Sequence, residues 1–454
     1  GDEAGTALTT ADKSTAVGYN ALAAATTNGN NTAVGANALG ATTGIANTAV
    51  GEGAMETNVA GTLNVAIGAN SLDADTTGSK SVAVGYASLS SQNFTTATDT
   101  FNTAVGYEAG TAITTGVNNV LIGGATGDAI TDADNNTAIG NAALSANTVG
   151  SQMTAVGAGA LNSVNPATAT DMWNVAVGVN AGLSVTTGTQ NTYIGGLAGD
   201  AATASVENVA VGYQALSADT LGSKSVAVGR MALLSQNQTT ATDVYNVAVG
   251  HNAGQQVTTG VNNTLIGGLA GDALTDADHN VAIGYLALSA DTLGSRSIAI
   301  GFGTLDAQNF TTATDSYNIA IGYTAGGAVT TGIRNTLIGG LSGDALTTGA
   351  RNTTLGYAAL SGDTLGSRTV AIGYEALGSQ NFTTATDAYN VAIGYAAGNA
   401  VTTGLNNTII GGLAGDAITA ANDNVVVGVG AMTTNTLSSE NVAIGRSALQ
   451  ELNH

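Results

Sequence analysis

A four-residue phrase recurs along almost the whole chain, and its spacing restricts the fold more than any other feature of the sequence. The phrase most often reads Thr/Val/Ile, Ala, Val/Ile, Gly, and it occurs 25 times, first at Thr15 and last at Val442. Successive copies start 17 residues apart almost everywhere, with one interval of 16 and an interval of 21 at every fourth step from Val82 onward. Three intervals of 17 and one of 21 make a 72-residue super-repeat. Repetition at a short fixed period predicts a solenoid.

The repeat is too short to contain a helix, and its apolar residues alternate with a period of two, which is typical of a strand. We expect one short strand at the phrase, a second short strand after it, as at Tyr19 to Leu22, and two turns. One repeat then forms one coil of a parallel β-roll, and the fold class is an all-β parallel β-solenoid of about 25 coils. Residues 1–14 are predicted to be a lead-in segment and residues 15–454 a continuous solenoid domain.

An asparagine stands immediately before many of the strands. Because asparagine favours turns and its side-chain amide can bond along a stack, these residues predict a ladder that runs from coil to coil. The residues are Asn102, Asn119, Asn136, Asn174, Asn191 and Asn208.

The composition fits an ordered repeat protein and argues against several classes of function. Apolar residues make up 44% of the chain, so it can bury a core, whereas the net charge of −22 disfavours a nucleic-acid partner. No apolar run is long enough to cross a membrane as a helix, so we expect no direct membrane insertion by this segment. The histidines are isolated, and no nucleophile–base pattern or phosphate-binding loop is present. The sequence therefore predicts a protein that is not an enzyme and needs no cofactor.

The second residue of the phrase is alanine in most coils, and we interpret the exceptions as evidence of a subunit interface. Most exceptions are large, lie 72 residues apart and are followed three residues later by glycine. Volume that is gained at one position and lost at another is expected where both faces of a strand are packed, one inside the roll and one against a partner chain. A monomer with an exposed alanine stripe is the alternative. The interface candidates are Leu121, Tyr193, Leu265, Leu337 and Ile409, and the glycines are Gly124, Gly196, Gly268, Gly340 and Gly412.

The 21-residue coils carry four extra residues, which predict loops that bulge from the solenoid at intervals of about 19 Å, four coil rises apart. Two aromatic columns fall in and beside these loops, and we expect them to contact a receptor, either a glycan or a protein. The alternative is that these rings cap the bulge or pack between chains. The first column contains Phe94, Phe310 and Phe382, and the second contains Phe101, Trp173, Tyr245, Tyr317 and Tyr389.

A basic column occurs at Lys80, Lys224, Arg296 and Arg368. Aspartates lie near these residues in the sequence, and we expect exposed ion pairs worth less than about 1 kcal/mol each. The expected acidic partners are Asp73 or Asp75 and their counterparts Asp219, Asp291 and Asp363.

A second group of aspartates follows the Gly-Gly coils and supplies weak candidates for a calcium site, because carboxylate oxygens are calcium ligands. The additional carboxylates have vanished later in the chain, by Thr347 and Thr348, so ordinary turn chemistry is the preferred explanation and no metal is expected. The weak candidates are Asp128, Asp132, Asp134, Asp272, Asp276 and Asp278.

The phrases Asn-Thr-Ala-Val-Gly and Asn-Val-Ala-Ile-Gly, followed by Ala-Leu, resemble the head repeats of trimeric autotransporter adhesins and the related repeats of phage tail-fibre proteins. The resemblance extends from Thr15 to Leu449. It implies a left-handed parallel β-roll assembled as a homotrimer and exposed on a cell or virion, where it serves attachment. Adhesin heads typically have shorter coils, so bacterial and phage origins both stay open.

The sequence therefore predicts a non-enzymatic, extracellular attachment fibre of the phage tail-fibre or surface-adhesin type. The rival hypothesis is a purely structural filament whose subunits polymerise end to end. Ice or mineral binding and glycan depolymerisation are more remote alternatives, since the strand threonines are interrupted by Val and Ile, and Glu108, Glu207 and Glu375 occupy no common position of the super-repeat.

Overall fold

The computed structural model describes residues 1–10, 13–27 and 29–450, and within them it contains strands and turns but no helix. The chain forms two compact units, Gly1–Lys224 with Gln238–Asp243, and Ser225–Asn237 with Val244–His454. Both are built from coils of the predicted length, with one three-residue strand at each phrase, which confirms an all-β parallel β-solenoid of about 25 coils. The boundary between a lead-in and a solenoid domain stays a prediction, and its residues 11, 12, 28 and 451–454 lie outside the described residues.

The first unit contains twelve three-residue strands. They are Thr15–Val17, Thr32–Val34, Thr48–Val50, Val65–Ile67, Val82–Val84, Thr103–Val105, Val120–Ile122, Thr137–Ile139, Thr154–Val156, Val175–Val177, Thr192–Ile194 and Val209–Val211.

The second unit contains thirteen three-residue strands. They are Val226–Val228, Val247–Val249, Thr264–Ile266, Val281–Ile283, Ile298–Ile300, Ile319–Ile321, Thr336–Ile338, Thr353–Leu355, Val370–Ile372, Val391–Ile393, Thr408–Ile410, Val425–Val427 and Val442–Ile444.

Within each unit, every three-residue strand pairs in parallel with the strand of the next coil, and the register matches the sequence repeat. For example, Thr103 pairs with Val120, and Ala104 pairs with Leu121. Equivalent residues of successive coils therefore stack in columns. The spacing of each column is the strand separation of about 4.8 Å.

The predicted second strand of each coil is absent, because the backbone dihedral angle φ there alternates between negative and positive values. In the first coil, Asn20 has φ 55° and Leu22 has φ 52°, and both are in the left-handed region. Residues in that region cannot continue a strand, so this side of the coil is a turn that directs Leu22 into the core.

Ten two-residue strands form five further parallel pairs beside the long loops, such as Gly78–Ser79 with Thr98–Asp99. The other pairs are Gly150–Ser151 with Thr170–Asp171, Gly222–Ser223 with Thr242–Asp243, Gly294–Ser295 with Thr314–Asp315, and Gly366–Ser367 with Thr386–Asp387.

The second strand position faces the inside of the coil, which corrects the predicted subunit interface. The residues proposed for that interface are all 0% exposed within a single chain, so none of them has surface left for a partner. The strand residue on each side of them points outward instead, as the alternation of a strand requires. The residues are Leu121, Tyr193, Leu265, Leu337 and Ile409.

The expected volume compensation exists, but it involves a different glycine. In ordinary coils the second strand position is alanine, and a buried leucine such as Leu22 lies six residues later. Where Tyr193 is the second residue, the later position is Gly199, and a Cβ there would lie 2.3 Å from the tyrosine ring. The glycine that we had singled out, Gly196, faces the ring of Tyr213 outside the core. Core volume is therefore exchanged within a pair of coils, because Gly182 of the preceding coil also lies against the Tyr193 ring.

The asparagine ladder is confirmed. The backbone N–H of Asn119 donates to the side-chain Oδ1 of Asn102 at 2.9 Å, and the Asn119 side chain donates to the carbonyl of Ala133 at 2.8 Å. The same pattern links Asn191 to Asn174 in a later coil. These buried bonds satisfy one turn donor in each coil that follows an asparagine, and the runs end at residues such as Ser81, Met153 and Ser297. The left-handed conformation belongs to the residue before each asparagine.

A buried hydrogen-bond network tethers one long loop to the core of the second unit. Asp291 accepts from the backbone N–H groups of Gly294 and Phe310 at 3.0 and 3.1 Å, and from the Gln308 side chain at 2.5 Å. Gln308 also donates to Ser297 at 2.9 Å. The cost of burial raises the pKa of Asp291, even though the hydrogen bonds from Gln308, Phe310 and Gly294 act to lower it.

An apolar cluster replaces this network in one super-repeat. The residues equivalent to Asp291, Ser297 and Gln308, two super-repeats earlier, are Asn147, Met153 and Val164, and all three are buried. Proline and methionine, at 166 and 172, stand where the second unit has phenylalanine and serine. The backbone therefore accommodates either a connected polar network or a connected apolar cluster.

Candidate binding surface

The first and third strand positions of the coils form a partly exposed apolar surface, which we call the outer face. The third position is Val, Ile or Leu in all 25 coils, and the first is Thr, Val or Ile. Ile122 and Ile194 are 37% and 38% exposed. A surface of this composition is typical of a protein interface, because monomeric proteins rarely expose contiguous apolar stripes.

The residue two positions before each strand forms one border of the outer face, which we call the pre-strand column. It has a left-handed backbone in all 25 coils, with φ between 50° and 65°. Seven of the nine Lys and Arg residues lie in this column, while Arg230 and Arg446 follow the closing glycine of their coils. The seven are Lys13, Lys80, Lys224, Arg296, Arg334, Arg351 and Arg368.

The second set of predicted receptor-contact residues also lies in the pre-strand column, and these side chains are 45% to 54% exposed. A basic residue one coil earlier covers part of several rings. The Lys80 ammonium lies 5.0 Å from the Phe101 ring centre, and the Arg296 guanidinium lies 5.6 Å from that of Tyr317. The set comprises Phe101, Trp173, Tyr245, Tyr317 and Tyr389.

The basic side chains form ion pairs with aspartates of the long loops, not with the partners expected from the sequence. Lys80 pairs with Asp99 at 2.6 Å, and Arg296 pairs with Asp315 at 2.8 Å. Lys224–Asp243 and Arg368–Asp387 repeat the arrangement. The expected partners Asp75, Asp219, Asp291 and Asp363 are buried and cap the turns that end in glycine.

The first aromatic column points inward. Phe94, Phe310 and Phe382 are only 5% to 6% exposed. The loop is also fixed at this residue, since Thr76 donates to the carbonyl of Phe94 at 2.8 Å. These three rings cap the bulge, so the aromatic residues available to a receptor from our candidates are those of the pre-strand column.

A third aromatic column follows the closing glycine of the strand, and we did not identify it as a binding feature from the sequence. Tyr285, Phe302 and Tyr323 stack with ring centres 5.7 and 5.4 Å apart, and are 47% to 60% exposed. Tyr357, Tyr374 and Tyr395 form a second stack. The signal was present, because this position is Tyr or Phe in ten of 25 coils.

Neighbouring carboxylates change the pKa of two tyrosines in this third aromatic column. A hydrogen bond to the neighbouring Glu375 raises the pKa of the Tyr374 hydroxyl, and Glu108 acts in the same way on Tyr107. Exposed rings with adjacent carboxylates can offer both a stacking surface and a hydrogen-bond acceptor to a ligand.

The weak calcium candidates engage in local hydrogen bonds. Asp134 and Asp278 each accept from a backbone N–H one coil earlier, at 2.7 Å. Asp132 accepts from Thr131, and Asp276 accepts from Thr259. Asp128 and Asp272 each bury one oxygen without a partner, and burial raises the pKa of Asp272. In the part of the chain that the structure describes, no three His, Cys, Asp or Glu residues are grouped to hold a metal.

The first unit contains a groove of about 600 Å³, which we compared with the needs of a glycoside hydrolase. Its lining includes small residues such as Ala23 and Gly40, and its one carboxylate is Glu56. Glycoside hydrolysis usually requires two carboxylates on opposite sides of the bond to be cleaved.

Among the described residues, no helix is long and apolar enough to cross a membrane. No protein-family model matches the chain, and no curated protein matches it.

Proposed function

We propose that this protein is a non-enzymatic attachment fibre of the phage tail-fibre or surface-adhesin type, exposed outside the cell and assembled as a homotrimer. The observation that carries the proposal is the outer face, with aliphatic side chains at the third strand position of every coil. In this proposal the solenoid supplies stiffness and repeats a binding surface along its length.

A second copy of the chain is the partner that best fits the outer face. The face repeats at the coil spacing through each unit, and a parallel copy in register has the same spacing throughout. The strand residues Thr, Val, Ile and Leu carry no charge, so chains with a net charge of −22 can approach here without direct repulsion. Cyclic symmetry closes such an assembly around an axis, and three copies agree with the resemblance to trimeric fibres.

The borders of the outer face support attachment as the task of the assembly. The pre-strand column and the column after the closing glycine carry half-exposed aromatic rings, including Trp173 and Tyr395. Such rings bury a large apolar area at low conformational cost when they contact sugars or proteins.

The mass of the particle in solution tests the assembly. Light scattering is expected to give three times the chain mass of 44.0 kDa, with discrete particles in negative-stain images of the same sample. Ile321→Asp, on the outer face, should reduce the mass to that of one chain, whereas an exposed loop change such as Thr312→Asp should not. A monomeric wild type would contradict the proposal, and masses without limit would favour the end-to-end structural filament.

A further inference from the structure

Six consecutive coils of the second unit carry an unusual run of side chains in the pre-strand column. The residues are Arg296, Tyr317, Arg334, Arg351, Arg368 and Tyr389. Their backbone φ values lie between 50° and 62°, so all six leave the coil from the same conformation. We call these residues the arginine strip.

Two of the four arginines in the strip lack the aspartate that pairs with each of the other two. Arg296 and Arg368 pair with Asp315 and Asp387 at 2.8 and 3.1 Å. Arg334 and Arg351 are exposed, and within the described residues neither has a carboxylate within 4.0 Å. They lie one coil apart, about 4.8 Å along the axis, where like charges repel. Two adjacent uncompensated cations in so acidic a chain indicate a site for an anionic ligand.

The strip contains two tyrosines, which lie four coils apart. The hydroxyls of Tyr317 and Tyr389 each accept a hydrogen bond of 2.8 Å from the arginine one coil earlier. That bond orients each ring while leaving it 45% and 50% exposed. The two rings are about 19 Å apart along the axis, and the unpaired arginines lie between them.

We propose that the arginine strip binds an acidic polysaccharide lying along the solenoid axis. The guanidinium groups of Arg334 and Arg351 pair with its carboxylate or sulfate groups, because the planar arginine fork matches such anions in a bidentate manner. Tyr317 and Tyr389 stack on the apolar faces of its sugar rings. This inference rests on the proposed attachment function and names the chemical class of the receptor.

A linear glycan fits better than a nucleic acid. The ligand must provide two anions about one coil apart and a flat apolar face on either side of them. Double-stranded nucleic acid presents its phosphates outward and keeps its bases stacked inside, so it offers Tyr317 and Tyr389 no flat apolar face.

The chain itself provides substitutions for the test. One super-repeat earlier, Asn262 and His279 occupy the places of Arg334 and Arg351 with φ 58° and 59°. Arg334→Asn with Arg351→His should therefore preserve the fold. The reverse exchange, Asn262→Arg with His279→Arg, should create a second pair of unpaired arginines when Asp276→Thr and Asp278→Ala accompany it, because these two carboxylates lie beside the site.

The binding experiment uses the full chain with polygalacturonate as the carboxylate probe, heparin as the sulfate probe and dextran as the neutral control. Wild-type protein should bind at least one acidic probe with an affinity that falls as salt rises, and should not bind dextran. The loss variant should bind at least about tenfold more weakly, since two charge-assisted pairs are removed, and the gain variant should bind more polysaccharide per chain.

Each outcome is decisive. Binding to one acidic probe alone identifies carboxylate or sulfate as the recognised group. Equal binding of single-stranded DNA, or an unchanged affinity in a loss variant with wild-type circular dichroism, overturns the inference. If neither acidic probe binds while the mass stays at three chains, the strip proposal fails and the proposed fibre stands. A single-chain mass contradicts the fibre itself.

Discussion

The buried network around Asp291 should be replaceable as a set but not one residue at a time. Asp291→Ala leaves two backbone N–H groups and the Gln308 amide without their acceptor. Each of these three unsatisfied groups costs about 1–3 kcal/mol, so we expect a loss of at least about 3 kcal/mol in unfolding free energy. Asp291→Asn can still bond to Gly294, but it turns an NH2 group toward that of Gln308, and should cost about 1–3 kcal/mol.

The complete exchange follows the apolar super-repeat: Asp291→Asn, Ser297→Met, Gln308→Val, Phe310→Pro and Ser316→Met. Because the chain already packs this set around Asn147, the variant should stay within about 1.5 kcal/mol of wild type. Hydrogen exchange at the amide of Gly294 measures local opening, and urea unfolding followed by circular dichroism gives the wider effect. If Asp291→Ala equals wild type, or if the complete exchange is as unstable as Asp291→Ala, the reasoning is refuted.

The pH dependence provides a second readout of the same network. Burial raises the pKa of Asp291 above 3.8, so the folded chain holds this proton more tightly than the unfolded chain. The carboxyl therefore stabilises the fold below the unfolded pKa, and that contribution is lost as pH rises through the folded pKa. Relative to the complete exchange, wild type should gain stability as pH falls toward 3.8. A difference that is independent of pH would contradict the assigned cause.

Three further predictions concern other parts of the coil. Tyr193→Leu should change stability by less than about 1.5 kcal/mol, since leucine occupies that place in other super-repeats, and thermal unfolding checks it. Gly199→Ala should cost more than about 2 kcal/mol, because its Cβ would meet the Tyr193 ring and its φ is 56°; equal melting temperatures for these two variants would refute the packing argument. Glu375→Gln should lower the pKa of Tyr374, measured as a difference in alkaline ultraviolet titration against wild type; an unchanged titration would exclude the hydrogen bond as its cause.

The repeat predicted the fold because a register is a property of spacing, and the sequence states the spacing 25 times. Pairing each strand with the strand 17 residues later places Ala104 beside Leu121. A register shifted by one residue would move one of the two side chains out of the core. The asparagine ladder followed for the same reason, since equal spacing at one turn stacks equal side chains.

The inward and outward faces of the strand could not be assigned from the sequence. Large aliphatic residues usually lie inside and alanine is tolerated outside, yet here the alanine column is buried and the Val/Ile column is partly exposed. The reason is the leucine of the turn, such as Leu22, whose left-handed backbone directs it into the core. Leucine fills the interior and leaves room only for alanine opposite it. A period of two shows that the two faces of the strand differ. It does not show which face the turn residues pack against.

The fold and the proposed binding chemistry therefore depend on different columns of the same coil. The buried columns hold alanine, leucine, glycine and asparagine with few exceptions, whereas the columns bordering the outer face hold all nine basic residues and twelve of the 13 tyrosines. In the pre-strand column, Lys80, Trp173, Glu207 and Arg334 share one backbone conformation, with φ from 54° to 63°. Since the conformation does not depend on the side chain, substitution in this column can change what the solenoid binds while the coil stays intact. The unpaired arginines of a single super-repeat are the result expected when ligand contacts vary on a constant scaffold.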